Sequence, residues 1–223
     1  MARYRAVLFD WMLTLAEYPD DRELVRRAHQ AIERNTAPAT LDVIVERLET
    51  AARDADVIAA MTREDCSAEL HQLANLLFFK RAEIDDELAA AMYALLGDPT
   101  FHPVYAETPF VLRDLAELGV RVAVVSDIHV DLRAHAALHA IDHLIHAWIL
   151  SYQHGIQKPD PALFQLALDA LDVQAADALM VGDRSSHDGA AAALGIDTLI
   201  LPARRDATNT RSDRLDVVTC MMA

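Results

Sequence analysis

Asp10, Ser126, Lys158 and Asp183 are the residues of this 223-residue chain whose types and settings suit chemistry on an anionic group. Asp10 closes the apolar run Ala6–Phe9, Ser126 closes the run 120–125, and Asp183 follows the run 178–181 and Gly182. Lys158 opens Lys158-Pro159-Asp160-Pro161 and is one of only two lysines in the chain, the other being Lys80. Two carboxylates, a hydroxyl and an ammonium brought together make a place to hold an anion. The body around them carries a formal net charge of −15, so the site needs a local positive focus. A metal ion and one well-placed lysine supply it.

Delivering these groups to one place requires a particular scaffold. Short apolar runs at 6–9, 120–125, 147–150, 178–181 and 198–201 read as buried strands, with helical segments between them. Thr108-Pro109 opens one such helix as N-cap and first residue, Gly119 closes it, and Asp160-Pro161 opens another. Strand–helix alternation predicts an α/β fold, a Rossmann-like parallel sheet with helices on both faces. Ligands in such sheets bind outside the carboxyl ends of the strands, where the polar residues above fall. Residues 20–97 carry no strand pattern and read as consecutive helices, with Leu41, Ile44, Val45, Leu48 and Ala52 at helical spacing, and Leu70, Leu73, Ala74 and Leu77 likewise. Thr36–Thr40 with Pro38 breaks the first helix from the second, Thr62 with Asp65 marks a later helix start, and Gly97-Asp98-Pro99 ends the series. The expected division is a core of residues 1–15 and 108–223 with an all-helical cap of residues 16–107, able to close over the strand ends and exclude water.

The acidic balance argues against a nucleic-acid or anionic-membrane surface. The apolar stretch before Asp10 is too short for a signal peptide or a membrane span, so the cytosol is the expected compartment. Cys66 and Cys220 show no metal-ligand spacing and are expected as reduced thiols.

Four segments stand in order: Val7-Leu8-Phe9-Asp10-Trp11-Met12-Leu13-Thr14-Leu15, Val124-Val125-Ser126-Asp127, Gln157-Lys158-Pro159-Asp160-Pro161, and Gly182-Asp183-Arg184-Ser185-Ser186-His187-Asp188. Together they resemble the haloacid dehalogenase (HAD) superfamily, whose pattern is a strand then DxDGT, a strand ending in Ser or Thr, a Lys, and GDxxxxD. The resemblance spans nearly the whole chain, the helical insertion included. It implies that Asp10 is a nucleophile forming a covalent intermediate. Thr14, Ser126, Asp127 and Lys158 would bind the substrate, with Lys158 offsetting charge repulsion. Asp183, Asp10 and the backbone carbonyl of Met12 would hold Mg²⁺, with Asp188 supporting that shell or Lys158. The implied substrate is small, anionic and phosphorylated.

Position 12 departs from the pattern. Phosphatases of the superfamily carry a second aspartate there, which protonates the leaving group and then activates water, a role typically worth ~10²–10⁴-fold. Met12 does neither, and Leu13 replaces the usual glycine, which predicts an altered turn. Three readings follow. One is a Mg²⁺-dependent phosphohydrolase with a good leaving group or an acid from elsewhere, for which Glu17, Tyr18, Asp127 and His187 are the nearby candidates. Another is a 2-haloacid dehalogenase-like hydrolase, with Arg26, Arg27 or Arg34 receiving the carboxylate or halide. The third is a non-catalytic protein that binds a phosphorylated ligand or a partner. Asp10-Trp11 also resembles the start of the phosphonatase motif, which requires a lid lysine; Lys80, at an expected helix end, is the candidate.

His135, His139 and His143, at four-residue spacing, read as surface histidines rather than a metal face. Arg204, Arg205, Arg211 and Arg214 read as a solvated basic loop before the apolar run 215–218.

Overall fold

The computed structural model describes residues 2–203 and 212–222. Its centre is a five-stranded, all-parallel sheet in the order β3-β2-β1-β4-β5, formed by β1 (Ala6–Phe9), β2 (Arg121–Ser126), β3 (Ala147–Leu150), β4 (Ala178–Gly182) and β5 (Asp197–Ile200). The period-two alternation of a strand assigns its side chains to the two faces. Val7 and Phe9 of β1, Val122 and Val124 of β2, and Leu179 and Val181 of β4 point to one face. There they meet Val111, Leu112 and Leu115 of α6 (Thr108–Glu117), Ala136 of α7 (Arg133–Leu138) and Val218 of α10 (Asp216–Cys220). Leu8, Ala123, Val125 and Met180 point to the other face, against Leu163, Phe164, Ala167, Leu168 and Leu171 of α9 (Pro161–Leu171), which follows the one-turn α8 (Ser151–His154). With both faces covered, each buried Val, Leu or Phe contributes roughly 1.5–3 kcal/mol.

Between β1 and β2 the chain leaves the sheet for α1 (Asp21–Ala31), α2 (Pro38–Ala51), α3 (Ala55–Met61), a 3-10 turn at Glu64–Cys66, α4 (Ala68–Arg81) and α5 (Asp86–Leu96). These helices share a core of their own, which includes Leu24, Val25, Leu41, Ile44, Leu48, Phe79, Leu88 and Met92. The insertion enters and leaves through a narrow neck. Glu17 N donates to Pro103 O at 2.8 Å and Tyr105 N to Leu15 O at 2.9 Å, with an antiparallel bridge between Ala16 and Val104. Among the described residues no helix is long and apolar enough to cross a membrane.

Several local expectations shift. The start expected at Thr62–Asp65 is a 3-10 turn, and α4 is capped instead by Ser67, whose Oγ accepts from Leu70 N at 3.1 Å. Thr108 is the first residue of α6 rather than its cap; its hydroxyl donates to Leu15 O at 2.7 Å and ties the helix to the neck. In α2 the buried residue is Ala51 and not Ala52. In α4 the apolar spacing misleads most. Leu73 is 59% exposed and Leu70 is exposed too, while His71 and Asn75 are buried. This helix turns a polar face inward.

The register explains why the site residues meet. Phe9 pairs with Val124 on one side and Val181 on the other. Asp10, Ser126 and Asp183 therefore emerge together at the carboxyl edge of three adjacent strands.

Candidate functional site

Lys158 is the hub of this edge. Its backbone N–H donates to Asp127 Oδ1 at 2.8 Å, which fixes the loop before α9. Its Nζ donates to Asp10 Oδ1 at 2.7 Å and to Asp188 Oδ1 at 2.6 Å, with only 2% of the residue exposed. Burial disfavours an ammonium here, but Asp10, Asp188 and Asp127 outweigh it and hold the lysine charged. Burial likewise pushes the Asp10 carboxyl up, to about 7, against the pull of Lys158. Thr14 Oγ1 reaches the other oxygen of Asp10, Oδ2, at 3.4 Å.

Two polar atoms at the same edge are buried without a hydrogen-bond partner: Ser126 Oγ and Asp183 Oδ1. An orphaned hydroxyl and an orphaned carboxylate oxygen, at the ends of the two strands that flank β1, call for an external partner of each sign. Asp10, Asp183 and Asp188 offer carboxylate oxygens within 4.8 Å of one another. Burial first, then the neighbouring Asp188 charge, raises the Asp183 carboxyl. Hard oxygen donors with an unsatisfied member fit a hard divalent cation. Asp188 is committed elsewhere, with Oδ1 on Lys158 and Oδ2 accepting from Arg184 N at 2.9 Å.

The turn after β1 takes the left-handed conformation that a glycine adopts easily. Leu13 stands there at φ 60°, at a strain of roughly 1–2 kcal/mol for an L residue. Arg214 holds this turn. Its guanidinium donates to Leu13 O at 3.0 Å, to Thr14 O and to Pro202 O at 3.1 Å, and lies over the Tyr105 ring. Arg214 is thus not part of a solvated loop, as its setting in the sequence suggested; Arg204, Arg205 and Arg211 lie outside the described residues.

A cavity of about 450 Å³ opens between this edge and the insertion. Asp10, Met12, Asp127, Lys158 and Asp183 line its core side, and Tyr18, Glu64, Asp65, His71, Asn75 and Phe78 the helical side. His71, Asn75 and Phe78 lie at i, i+4 and i+7 of α4, so the inward polar face of that helix is a wall of this cavity. Sequence reasoning missed Glu64, Asp65, His71 and Asn75, because periodicity sought apolar residues and Asp65 resembled a helix start. The only signal available was polar residues recurring at helical spacing opposite Leu70 and Leu73. Of the acid candidates named from sequence, Tyr18 and Asp127 line this cavity, and His187 lines an adjoining one of about 640 Å³. Glu17 lines neither.

Other expectations are corrected. Arg26 pairs with Glu23, Arg27 donates to Thr100 O, and Arg34 pairs with Asp85 and Glu87. None of the three lines either cavity, so they are not placed to receive a substrate carboxylate. Lys80 is exposed near the end of α4 and lines neither cavity, so it is not placed as a lid lysine. His135 is buried rather than on the surface, on the same side of α7 as Ala136, and His129 is buried as well. Asp65, His71 and His129 offer ligand atoms within 4.8 Å of one another. The two imidazoles, however, stack at 3.4 Å with planes 5° apart. Their in-plane lone pairs run in parallel planes and do not converge on one ion.

A family model described as haloacid dehalogenase-like hydrolase matches residues 4–195. The chain is 39% identical over 79 residues to a glyceraldehyde 3-phosphate phosphatase of Pyrococcus abyssi, which covers 35% of this chain and 33% of the relative. It is 33% identical over 88 residues to a phosphoserine phosphatase of Thermus thermophilus, covering 39% of this chain and 35% of the relative. The matches thus span about a third of the length of these relatives. Among solved structures, an L-2-haloacid dehalogenase aligns with a TM-score of 0.69 at 20% identity, covering 99% of each chain. A HAD phosphatase from Thermococcus onnurineus aligns at 0.62 and 20% identity, covering 97% of each chain. At such identities the likeness to these structures is one of fold.

Proposed function

The chain belongs to the haloacid dehalogenase-like hydrolase family, and from that premise we propose that it is a phosphohydrolase that cleaves a small phosphorylated metabolite through an aspartyl-phosphate on Asp10. The observation that carries this reading is the buried Lys158 ammonium held between Asp10 and Asp188, with Ser126 Oγ and Asp183 Oδ1 left unpartnered at the same edge of the sheet. A phosphoryl group entering there accepts from the Ser126 hydroxyl and is drawn by Lys158, which also lowers its repulsion with the Asp10 carboxylate. With Lys158 on Oδ1, the other oxygen, Oδ2, attacks phosphorus, and Thr14 orients it. Water then hydrolyses the aspartyl-phosphate and frees inorganic phosphate.

Asp10, Asp183 and the Met12 carbonyl are the groups that would hold Mg²⁺, which supplies charge neutralisation at the phosphoryl oxygens when bound. The neck at Leu15–Glu17 and Pro103–Tyr105 divides core from cap in this reading, and residues 16–107 cover the site. The phosphatases named among the relatives support a phosphate ester as the substrate class. The test is a panel of phosphate monoesters and acyl phosphates, with and without Mg²⁺, on wild type and Asp10→Asn. Mg²⁺-dependent phosphate release that disappears in Asp10→Asn is expected. Release that survives the substitution, or metal-independent halide release from a 2-haloacid in its place, would overturn the reading.

A further inference from the structure

Position 12 is methionine, so the turn after Asp10 has no group there to give a proton to a departing alkoxide. The opposite wall of the cavity does have one. Asp65 sits on the 3-10 turn Glu64–Cys66, and this stretch of the insertion is docked onto the core. The Ser151 hydroxyl accepts from Ile128 N at 2.9 Å and donates to the Asp65 carbonyl at 2.6 Å. Gln157, the residue before Lys158, donates from Nε2 to Thr62 O at 3.1 Å and accepts from the Cys66 thiol at 3.4 Å. Ser151, just past the end of β3, and the loop that carries Lys158 therefore fix the backbone at Asp65. Its neighbour Glu64 is tied back, accepting from Asn75 Nδ2 at 3.1 Å.

Resting on the phosphohydrolase reading, we propose that Asp65 is the general acid for the leaving group, a catalytic residue supplied by the insertion in place of the one missing at position 12. The charged and titratable groups around its carboxyl are Glu64, Asp127, Arg184 and Lys158, with His71 and His129 alongside. Burial, helped by Glu64 and Asp127, pushes Asp65 up to about 8, so it carries its proton at neutral pH. As the bond from Asp10 Oδ2 to phosphorus forms, the ester P–O bond breaks and its electron pair stays on the ester oxygen. That oxygen takes the Asp65 proton and leaves as the alcohol. The Asp65 carboxylate recovers a proton from the water that hydrolyses the aspartyl-phosphate.

The test compares kcat/KM, which reports the steps up to phosphoryl transfer, for 4-nitrophenyl phosphate and propyl phosphate with Mg²⁺. The nitrophenolate leaves without a proton; the propoxide does not. Asp65→Asn should lower kcat/KM on the alkyl ester by ~10²-fold or more and on the aryl ester by less than about 3-fold, and the aryl activity also reports that the variant is folded. Equal losses on the two esters, no loss on either, or the selective loss appearing in Glu64→Gln instead would overturn the assignment to Asp65. If 4-nitrophenyl phosphate turnover survives Asp10→Asn, the nucleophile reading itself fails. That outcome is separate from a failure of the acid alone.

Discussion

Gly182 leaves room for Asp188. A Cβ built at position 182 would lie 2.2 Å from Asp188 Cγ, a separation no side chain tolerates. The carboxylate presses against bare backbone because it must reach Lys158 from the following turn. Gly182→Ala is therefore expected to displace Asp188, leave the buried lysine short of a partner, and lower unfolding stability by at least about 2 kcal/mol. Urea denaturation measures this, and a variant as stable as wild type would show that Asp188 has another place to go. The same site shows what a sequence discloses at this scale. Asp10 and Asp183 were legible as carboxylates that close apolar strands, and Lys158 and Asp188 through the resemblance of their segments to the HAD pattern. That Leu13 adopts φ 60° was not, since its carbonyl is held by an arginine 201 residues later.

That arginine belongs to a connection between elements. Arg214 stands just before α10, spans to the turn after β1, and stands 4.0 Å from the buried Glu107 at the start of α6. Glu107 also accepts from the Ser212 hydroxyl at 2.7 Å. Three separate pieces of chain thus meet behind the loop that follows Asp10. Removing one partner of a buried pair leaves the other charge stranded, typically at a cost of about 3–5 kcal/mol. Arg214→Met should approach the lower end of that range by urea denaturation, because Glu107 keeps Ser212. Adding Glu107→Gln should recover part of the loss, whereas strictly additive losses would show that the two do not act as a pair. The strands and their order of use were readable from apolar runs ending in polar residues. The roles of α4 and of the C-terminal segment were not. Leu70 and Leu73 follow a helical spacing yet face outward, since α4 turns His71 and Asn75 to the cavity and Phe79 to the core of the insertion. Arg214 read as solvated because nothing local to it reveals partners at Leu13 and Glu107.

For the whole molecule, the cavity lining and the buried His102 outside it include groups whose protonation differs between folded and unfolded chain, and their signs oppose. Burial lowers His71 to about 3 and His102 and His129 to about 4, from an ordinary 6.5. Between those values the unfolded chain binds protons that the fold refuses, so stability from the histidines is lost as pH falls below 6.5. Burial raises Glu64 to about 7 and Asp65 to about 8, from 4.5 and 3.8. Here the fold holds protons that the unfolded chain releases, so stability is lost as pH rises through the same interval and on to about 8. Below pH 6.5 three histidines oppose three carboxyls, because Asp10, raised to about 7, acts with Glu64 and Asp65, and the slope is close to level. Above it the histidines are neutral in both states and only the carboxyls act, so the slope turns negative. Unfolding free energy from urea titrations between pH 5 and 8.5 is therefore expected to stay nearly level up to about 6.5 and decline toward 8. In the double variant Glu64→Gln, Asp65→Asn the decline above about 7 should disappear while the acid side, with three histidines against Asp10, takes a positive slope. A wild-type profile that stays level to pH 8.5, or a double variant that keeps the alkaline loss, would place the ionised carboxyls of this cavity in contact with water rather than sheltered between the insertion and the sheet.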